Sequence, residues 1–239
     1  MLNVAVVRFP GSNSDFDAVR AAGAVGANSY LVWHRDTDLG QADVVILPGG
    51  FSYGDYLRAG AIARFSPVMQ AVQRHAAEGG AVLGICNGFQ ILCEAHLLPG
   101  ALMRNAGLHF VSKPVDVTVE RDDTPFTTDY AVGRRLRLPV AHGDGRFLAT
   151  GDTLRMLEAE GRVVLRYVAD TEGSPYQTNP NGSAAHIAGI QNAGGNVVGI
   201  MPHPERADDL VLGLADGRGF FTSMAAWKAR PPTAKVLSR

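Results

Sequence analysis

The sequence predicts an α/β protein: an open, mostly parallel sheet with helices on both faces and an antiparallel extension at one edge. Three observations carry that expectation. Short apolar runs alternate with helix-forming stretches through the first hundred residues, the order that a parallel sheet with crossover helices requires. Those runs, such as residues 4–9 and 43–47, are continuous rather than alternating, as in strands covered on both faces. In the middle of the chain short strands recur without long helices between them, which makes them antiparallel additions at an edge. A length of 239 residues supports a sizeable core.

Each element follows from local pattern. Residues 4–9 form a buried strand stopped by Pro10-Gly11. Ser12, Asn13, Ser14 and Asp15 are all good helix N-caps, and a helix runs from about 15 to 22. Residues 29–33 and 43–47 read as the next two strands, the latter ending at Pro48-Gly49-Gly50. Residues 61–77 have helical character up to Gly79-Gly80. Ala81–Ile85 is a fourth buried strand, and a helix over 87–96 follows it. Residues 115–119 alternate as a half-exposed strand does. Residues 121–135 are polar and read as a surface excursion. Residues 136–140, 163–168 and 187–190 are further short strands, and 197–201 is another buried one. Helices are expected near 206–214 and 218–227. No repeat, low-complexity run or linker intervenes, so residues 1–228 are expected to form one domain and 229–239 a loosely ordered tail.

Composition excludes several classes. The net charge is −1, with 46% hydrophobic and 19% charged residues, so no basic footprint points to nucleic acid or an anionic membrane. The only two cysteines, Cys86 and Cys93, are too few for a disulfide framework and lack zinc spacing. A free reactive thiol suits a reducing cytoplasm, the expected location. The first residues lack a signal-peptide pattern, and no run of about 18 apolar residues reads as a membrane span. His34, His75, His96, His109 and His186 have no metal-binding spacing, so no metal is expected.

The chemically informative stretch is Gly84-Ile85-Cys86-Asn87-Gly88, between a buried strand and a helix. It matches the spacing of a nucleophile elbow, G-x-S-x-G, with cysteine in place of serine. Small residues two positions either side let the chain turn sharply around the nucleophile. The helix behind it points free N–H groups at the turn, favouring a thiolate and offering donors to an oxyanion. Alone, the stretch is equally a buried core cysteine; Cys93 reads as core packing. A base and an orienter must come from elsewhere. His203-Pro204-Glu205, just after the last buried strand, supplies both types in a proline-fixed segment. Pro48-Gly49-Gly50 follows a third strand, and the N–H groups of Gly50 and Asn87 would form an oxyanion hole. In an open parallel sheet such strand ends share one rim.

Gly84-Ile85-Cys86-Asn87-Gly88-Phe89-Gln90 together with Pro202-His203-Pro204-Glu205 resembles the class I (triad) glutamine amidotransferases. The fold this resemblance implies is the flavodoxin-like sheet of that class. Phe9-Pro10-Gly11-Ser12-Asn13, the 48–55 run Pro-Gly-Gly-Phe-Ser-Tyr-Gly-Asp, His142-Gly143-Asp144-Gly145-Arg146 and Asn179-Pro180-Asn181-Gly182-Ser183 narrow it. These resemble the glutaminase subunits of phosphoribosylformylglycinamidine synthases. Ser14 and Asp144 depart from residues common there, cysteine and glutamate.

The resemblance implies a triad of Cys86, His203 and Glu205 acting on glutamine, with Gln90, one helical turn on, contacting the substrate. His142 is a weaker candidate for lining the glutamine site, a structural turn histidine being the competing reading. It implies a large synthetase subunit and a small third subunit as partners, with ATP and Mg used by the synthetase and no cofactor in this chain. The loop carrying Tyr53, Asp55 and Arg58 is expected to answer to the synthetase. Arg134, Arg135 and Arg137 read as a solvated basic face. Competing readings are a glutaminase for another synthetase, such as imidazole glycerol phosphate synthase, a cysteine hydrolase of the same architecture, and a non-catalytic regulatory relative. The filled triad argues against the last.

Overall fold

A computed structural model describes residues 1–168 and 179–228. In chain order it contains β1 (Asn3–Arg8), α1 (Asp15–Ala24), β2 (Asn28–Trp33), β3 (Val44–Leu47), α2 (Pro67–Ala77), β4 (Ala81–Ile85), α3 (Asn87–Glu94), β5 (Ala101–Met103) and β6 (Val111–Val119). There follow β7 (Arg135–His142), β8 (Arg146–Leu148), α4 (Gly151–Ala159), β9 (Val163–Tyr167), β10 (Ile187–Gln191), β11 (Val197–Ile200) and α5 (Arg218–Lys228). Nine strands form one sheet in the order β2-β1-β3-β4-β11-β10-β9-β6-β7, and β5 pairs with β8 apart from it.

The first five strands of that order are parallel and the remaining pairings antiparallel, which is the expected sheet with its edge extension. β3, β4 and β11 are fully buried, because helices cover both faces, so their apolar runs are unbroken. Register aligns their ends: Leu47 lies opposite Gly84, and Ile85 opposite Ile200. The turns carrying Gly50, Cys86 and His203 therefore leave the sheet at one level.

The structure departs from the sequence expectation in five places. The 61–77 helix begins only at Pro67, because Ser66 is held extended (φ −61°, ψ 141°) ahead of the proline ring. Within the 121–135 excursion, Thr124 to Thr127 are buried: Phe126 plugs the core, and the Thr124 and Thr127 hydroxyls pair at 2.7 Å. The helix near 206–214 shrinks to single 3-10 turns at Pro204–Arg206 and Leu210–Leu212. Asp209 instead accepts the Val211 N–H, Gly213 turns left-handed, and Asp209 bridges to Leu214 to close a small loop. α4 was not expected, since Leu157 is its one buried residue and its apolar signal is faint. β5 and β8 are too short to stand out from the loops around them. The tail expected over 229–239 lies outside the described residues.

Candidate active site

Cys86 stands between β4 and α3 with φ 51° and ψ −102°, a conformation that L-residues avoid and that marks stored strain. Three contacts impose it. The Cys86 N–H donates to Ile200 C=O at 2.8 Å, continuing the β4–β11 ladder one residue past the strand. The Gln90 N–H donates to Cys86 C=O at 3.2 Å and begins α3 at once. Gly88 brings the first turn of α3 against Leu47 C=O so closely that any Cβ there would overlap the carbonyl oxygen. Cys86 is 4% exposed, and its sulfur lies 3.7 Å from Ala141 C=O of β7.

His203 leaves β11 and is fixed by its N–H donating to Pro139 C=O at 2.8 Å. The edge strand β7 thus reaches both Cys86 and His203. The imidazole Nδ1 lies 2.6 Å from Glu205 Oε1, and the two side chains are 2% and 0% exposed. Burial alone lowers the His203 pKa, but the Glu205 carboxylate and the adjacent Cys86 sulfur outweigh it and hold it above the ordinary imidazole value. Nε2, on the opposite side of the ring from Glu205, has no hydrogen-bond partner of normal geometry. The Glu205 turn is braced from α1: Arg20 donates to Glu205 C=O at 2.8 Å while its guanidinium holds Asp208.

Pro48-Gly49-Gly50 packs directly on this dyad. A Cβ at Gly49 would come within 2.6 Å of His203 Cε1, so only glycine fits. The Gly49 N–H donates to the buried Ser14 hydroxyl at 2.9 Å, so Ser14 anchors this turn rather than capping α1 with its side chain. Gly50 bridges Ser12 through bonds made by its neighbours, Asn13 N–H to Gly49 C=O and Phe51 N–H to Gly11 C=O. Neither bond uses the Gly50 N–H. The Asn87 N–H is the first of α3 and has no partner within the helix.

The side chains of the two remaining candidates, Gln90 and His142, are both engaged within the protein. Gln90 does sit one turn beyond Cys86, but it is buried and its amide is engaged at both ends. Its oxygen accepts Asn87 Nδ2–H at 2.8 Å, and its nitrogen donates to Asp144 C=O at 2.7 Å. His142 is a structural centre: Nδ1 lies 3.2 Å from Asn105 Oδ1 and Nε2 3.3 Å from Asn181 Nδ2. Those partners fix a neutral ring, Nδ1–H donating and Nε2 accepting. Burial, followed by the nearby His203 charge, pushes its pKa down to about 4. Asn105 and Asn181 then pin the turn at Gly145 through its N–H and C=O.

Three side-chain connections do not follow from the sequence. The Asn87 side chain accepts the Ser52 N–H at 3.1 Å, joining the elbow to the glycine turn. Asp55, pushed up to about 6 by burial and by Asp144, lies 3.3 Å from Asn87 Nδ2. In the Asn105–His142–Asn181 network, His142 and Asn181 belong to the motifs read from the sequence, whereas Asn105 does not. Arg58 and Arg137 are paired, with Glu94 and Asp116. Among the described residues, no group of His, Cys, Asp or Glu is arranged to hold a metal, and no helix is long and apolar enough to cross a membrane.

Comparison with known proteins agrees with this geometry. Residues 1–213 match the model of a CobB/CobQ-like glutamine amidotransferase domain. The chain is 57% identical over 225 residues to phosphoribosylformylglycinamidine synthase subunit PurQ of Rubrobacter xylanophilus, covering 94% of this chain and 98% of that one. It is also 57% identical over 226 residues to PurQ of Thermus thermophilus, covering 95% and 99%. Among solved structures, a chain of PurLQS from Thermotoga maritima superposes with a TM-score of 0.85 at 43% identity, covering 95% of this chain and 99% of that one. A putative GMP synthase subunit from Thermoplasma acidophilum shares the fold at TM-score 0.62 and 16% identity. With its cysteine elbow, its His-Glu dyad and a family match over most of its length, the chain belongs to the class I glutamine amidotransferases.

Proposed function

We propose that this chain is the glutaminase subunit of a phosphoribosylformylglycinamidine synthase. It hydrolyses glutamine to glutamate and ammonia and passes the ammonia to a synthetase subunit. The synthetase uses ATP and Mg to convert formylglycinamide ribonucleotide to the amidine, in de novo purine biosynthesis. A small third subunit completes the complex, which works in the cytoplasm. The observation that carries this reading is the Cys86 elbow facing the buried His203–Glu205 dyad, in a chain 57% identical along nearly its whole length to PurQ subunits.

In this mechanism the Cys86 sulfur attacks the side-chain amide carbon of glutamine, and the carbonyl electrons move onto oxygen. The N–H groups of Gly50 and Asn87 stabilise that oxyanion. Protonated His203 gives its proton to the departing nitrogen, so ammonia leaves and a thioester remains. His203 then takes a proton from water as the water attacks the thioester. A second oxyanion forms in the same hole, and its collapse frees glutamate and the thiol. Glu205 holds Nδ1–H, fixes the ring orientation and stabilises the charged imidazole, which the raised His203 pKa supports. Gln90 acts through its bonds to Asn87 and the Asp144 carbonyl, shaping the cleft wall. The neutral His142 supports the floor beside Cys86.

The loop after Gly50 presents Tyr56 and Leu57, 74% and 89% exposed, which supports a docking role for it. The test combines the chain with a synthetase of this class, ATP, Mg and formylglycinamide ribonucleotide. Glutamine should yield amidine only when the chain is present, whereas ammonium salts should serve the synthetase alone. Ammonium-driven synthesis that glutamine never matches, chain or no chain, would overturn the reading.

A further inference from the structure

The two oxyanion donors come from segments distant in sequence, and the hole works only if they face one point. A single side chain spans both segments. The Asn87 carboxamide leaves the first turn of α3 and reaches the loop after β3, where its oxygen accepts the Ser52 N–H at 3.1 Å, two residues beyond Gly50. Its nitrogen donates to Gln90 Oε1 at 2.8 Å and lies 3.3 Å from Asp55 Oδ1. Gln90 is locked in turn by Asp144 C=O at 2.7 Å. The chain of donors and acceptors fixes one orientation. With the Asn87 amide reversed, N–H would face N–H at Ser52 and oxygen would face oxygen at both Gln90 and Asp55.

The loop so held does not rest in relaxed geometry. Tyr53, Asp55 and Leu57 all have positive φ, at 55°, 53° and 70°. Such a loop keeps its shape only when its surroundings over-determine it. Its other ties run to segments other than the elbow: the Phe51 and Tyr53 N–H groups on the Gly11 and Pro10 carbonyls, the Tyr53 hydroxyl on His34 and Ser66, and Arg58 on Glu94 at the far end of α3. Asn87 is the tie at the elbow itself, and it is 1% exposed.

We propose that the Asn87 side chain is the positioning group of the oxyanion hole, clamping the Gly50 loop to the Cys86 elbow so that both N–H donors meet one oxygen. The proposal rests on the glutaminase reading above. It differs from a merely structural role in one respect. A structural defect disturbs every reaction of Cys86, whereas a misaligned hole slows only those that pass through an oxyanion. Glutamine hydrolysis passes through two. Alkylation by iodoacetamide passes through none: the sulfur bonds to the methylene carbon as iodide leaves.

The experiment measures both reactions in the complex with the synthetase, for wild type, Cys86→Ala, Asn87→Ala and Asn87→Asp. Alkylation is read at the Cys86 peptide. Asn87→Ala should lose ~10²–10³ in kcat, with KM changed little and alkylation near the wild-type rate. Asn87→Asp keeps an acceptor for Ser52 but loses both donors and sets a charge beside Asp55. It should lose at least ~10-fold in kcat by the same pattern. Wild-type turnover in both variants, or alkylation falling in step with turnover, would overturn the proposal. A wild type that releases no ammonia, or Cys86→Ala that releases as much as wild type, would instead defeat the glutaminase reading and the proposal with it.

Discussion

Nδ1 of His203 lies 2.6 Å from Oε1 of Glu205, with both side chains sealed from solvent. So short a contact with no water access makes the carboxylate the main support of a charged imidazole. Glu205→Gln keeps the shape and removes the charge. It should lower glutaminase kcat by ~10²-fold or more and shift the alkaline limb of the pH profile, where His203 loses its proton, downward. An unchanged profile would separate Glu205 from His203.

The same pair bears on stability. The folded His203 pKa is raised, so its contribution is fully present below the unfolded imidazole value of about 6.5 and is lost as pH rises through the folded value. Thermal melts should therefore show wild type losing its advantage over Glu205→Gln toward alkaline pH. A difference independent of pH would contradict this.

His142 carries the opposite sign. Its folded pKa of about 4 lies below the unfolded value, so the fold loses stability as pH falls from about 6.5 toward 4. The full loss is on the order of 3 kcal/mol. His142→Gln should flatten the acid side of the stability curve while leaving glutaminase chemistry at neutral pH within about threefold. A collapse of kcat at unchanged stability would place His142 in the substrate site.

Strain at the elbow gives a fourth prediction. Glycine normally destabilises relative to alanine, but φ 51° and ψ −102° at position 86 suit glycine alone. Cys86→Gly should thus be more stable than Cys86→Ala by about 1–2 kcal/mol in denaturant titrations, both being inactive. The reverse order would mean the elbow relaxes when the sulfur is removed.

Much of this was legible in residue order. Continuous apolar runs at β1, β3, β4 and β11 announced a doubly covered parallel sheet, and the turns after three of them carry the candidate nucleophile, the candidate base and the glycine turn, which the structure brings to one rim. α4 was not legible, because a helix burying only Leu157 carries almost no periodic signal. The loop at 206–214 has apolar residues at helical spacing, yet Leu210 and Val211 are exposed and Asp209 takes over its hydrogen bonds. Side-chain commitments were the least legible. Nothing local in the sequence says that Gln90 turns to Asn87 and the Asp144 carbonyl, or that His142 is consumed by Asn105 and Asn181. Asn87 is a near neighbour of Gln90, but Asp144, Asn105 and Asn181 lie far from their partners in the chain and meet them only after the sheet has closed.

The central claim is that Cys86 is the nucleophile of a glutaminase. The most direct measurement is ammonia release from glutamine by the synthetase complex containing either wild-type chain or Cys86→Ala. Sustained release is expected from wild type and none above background from the variant, with the complex still formed. Release by Cys86→Ala at the wild-type rate would contradict that claim.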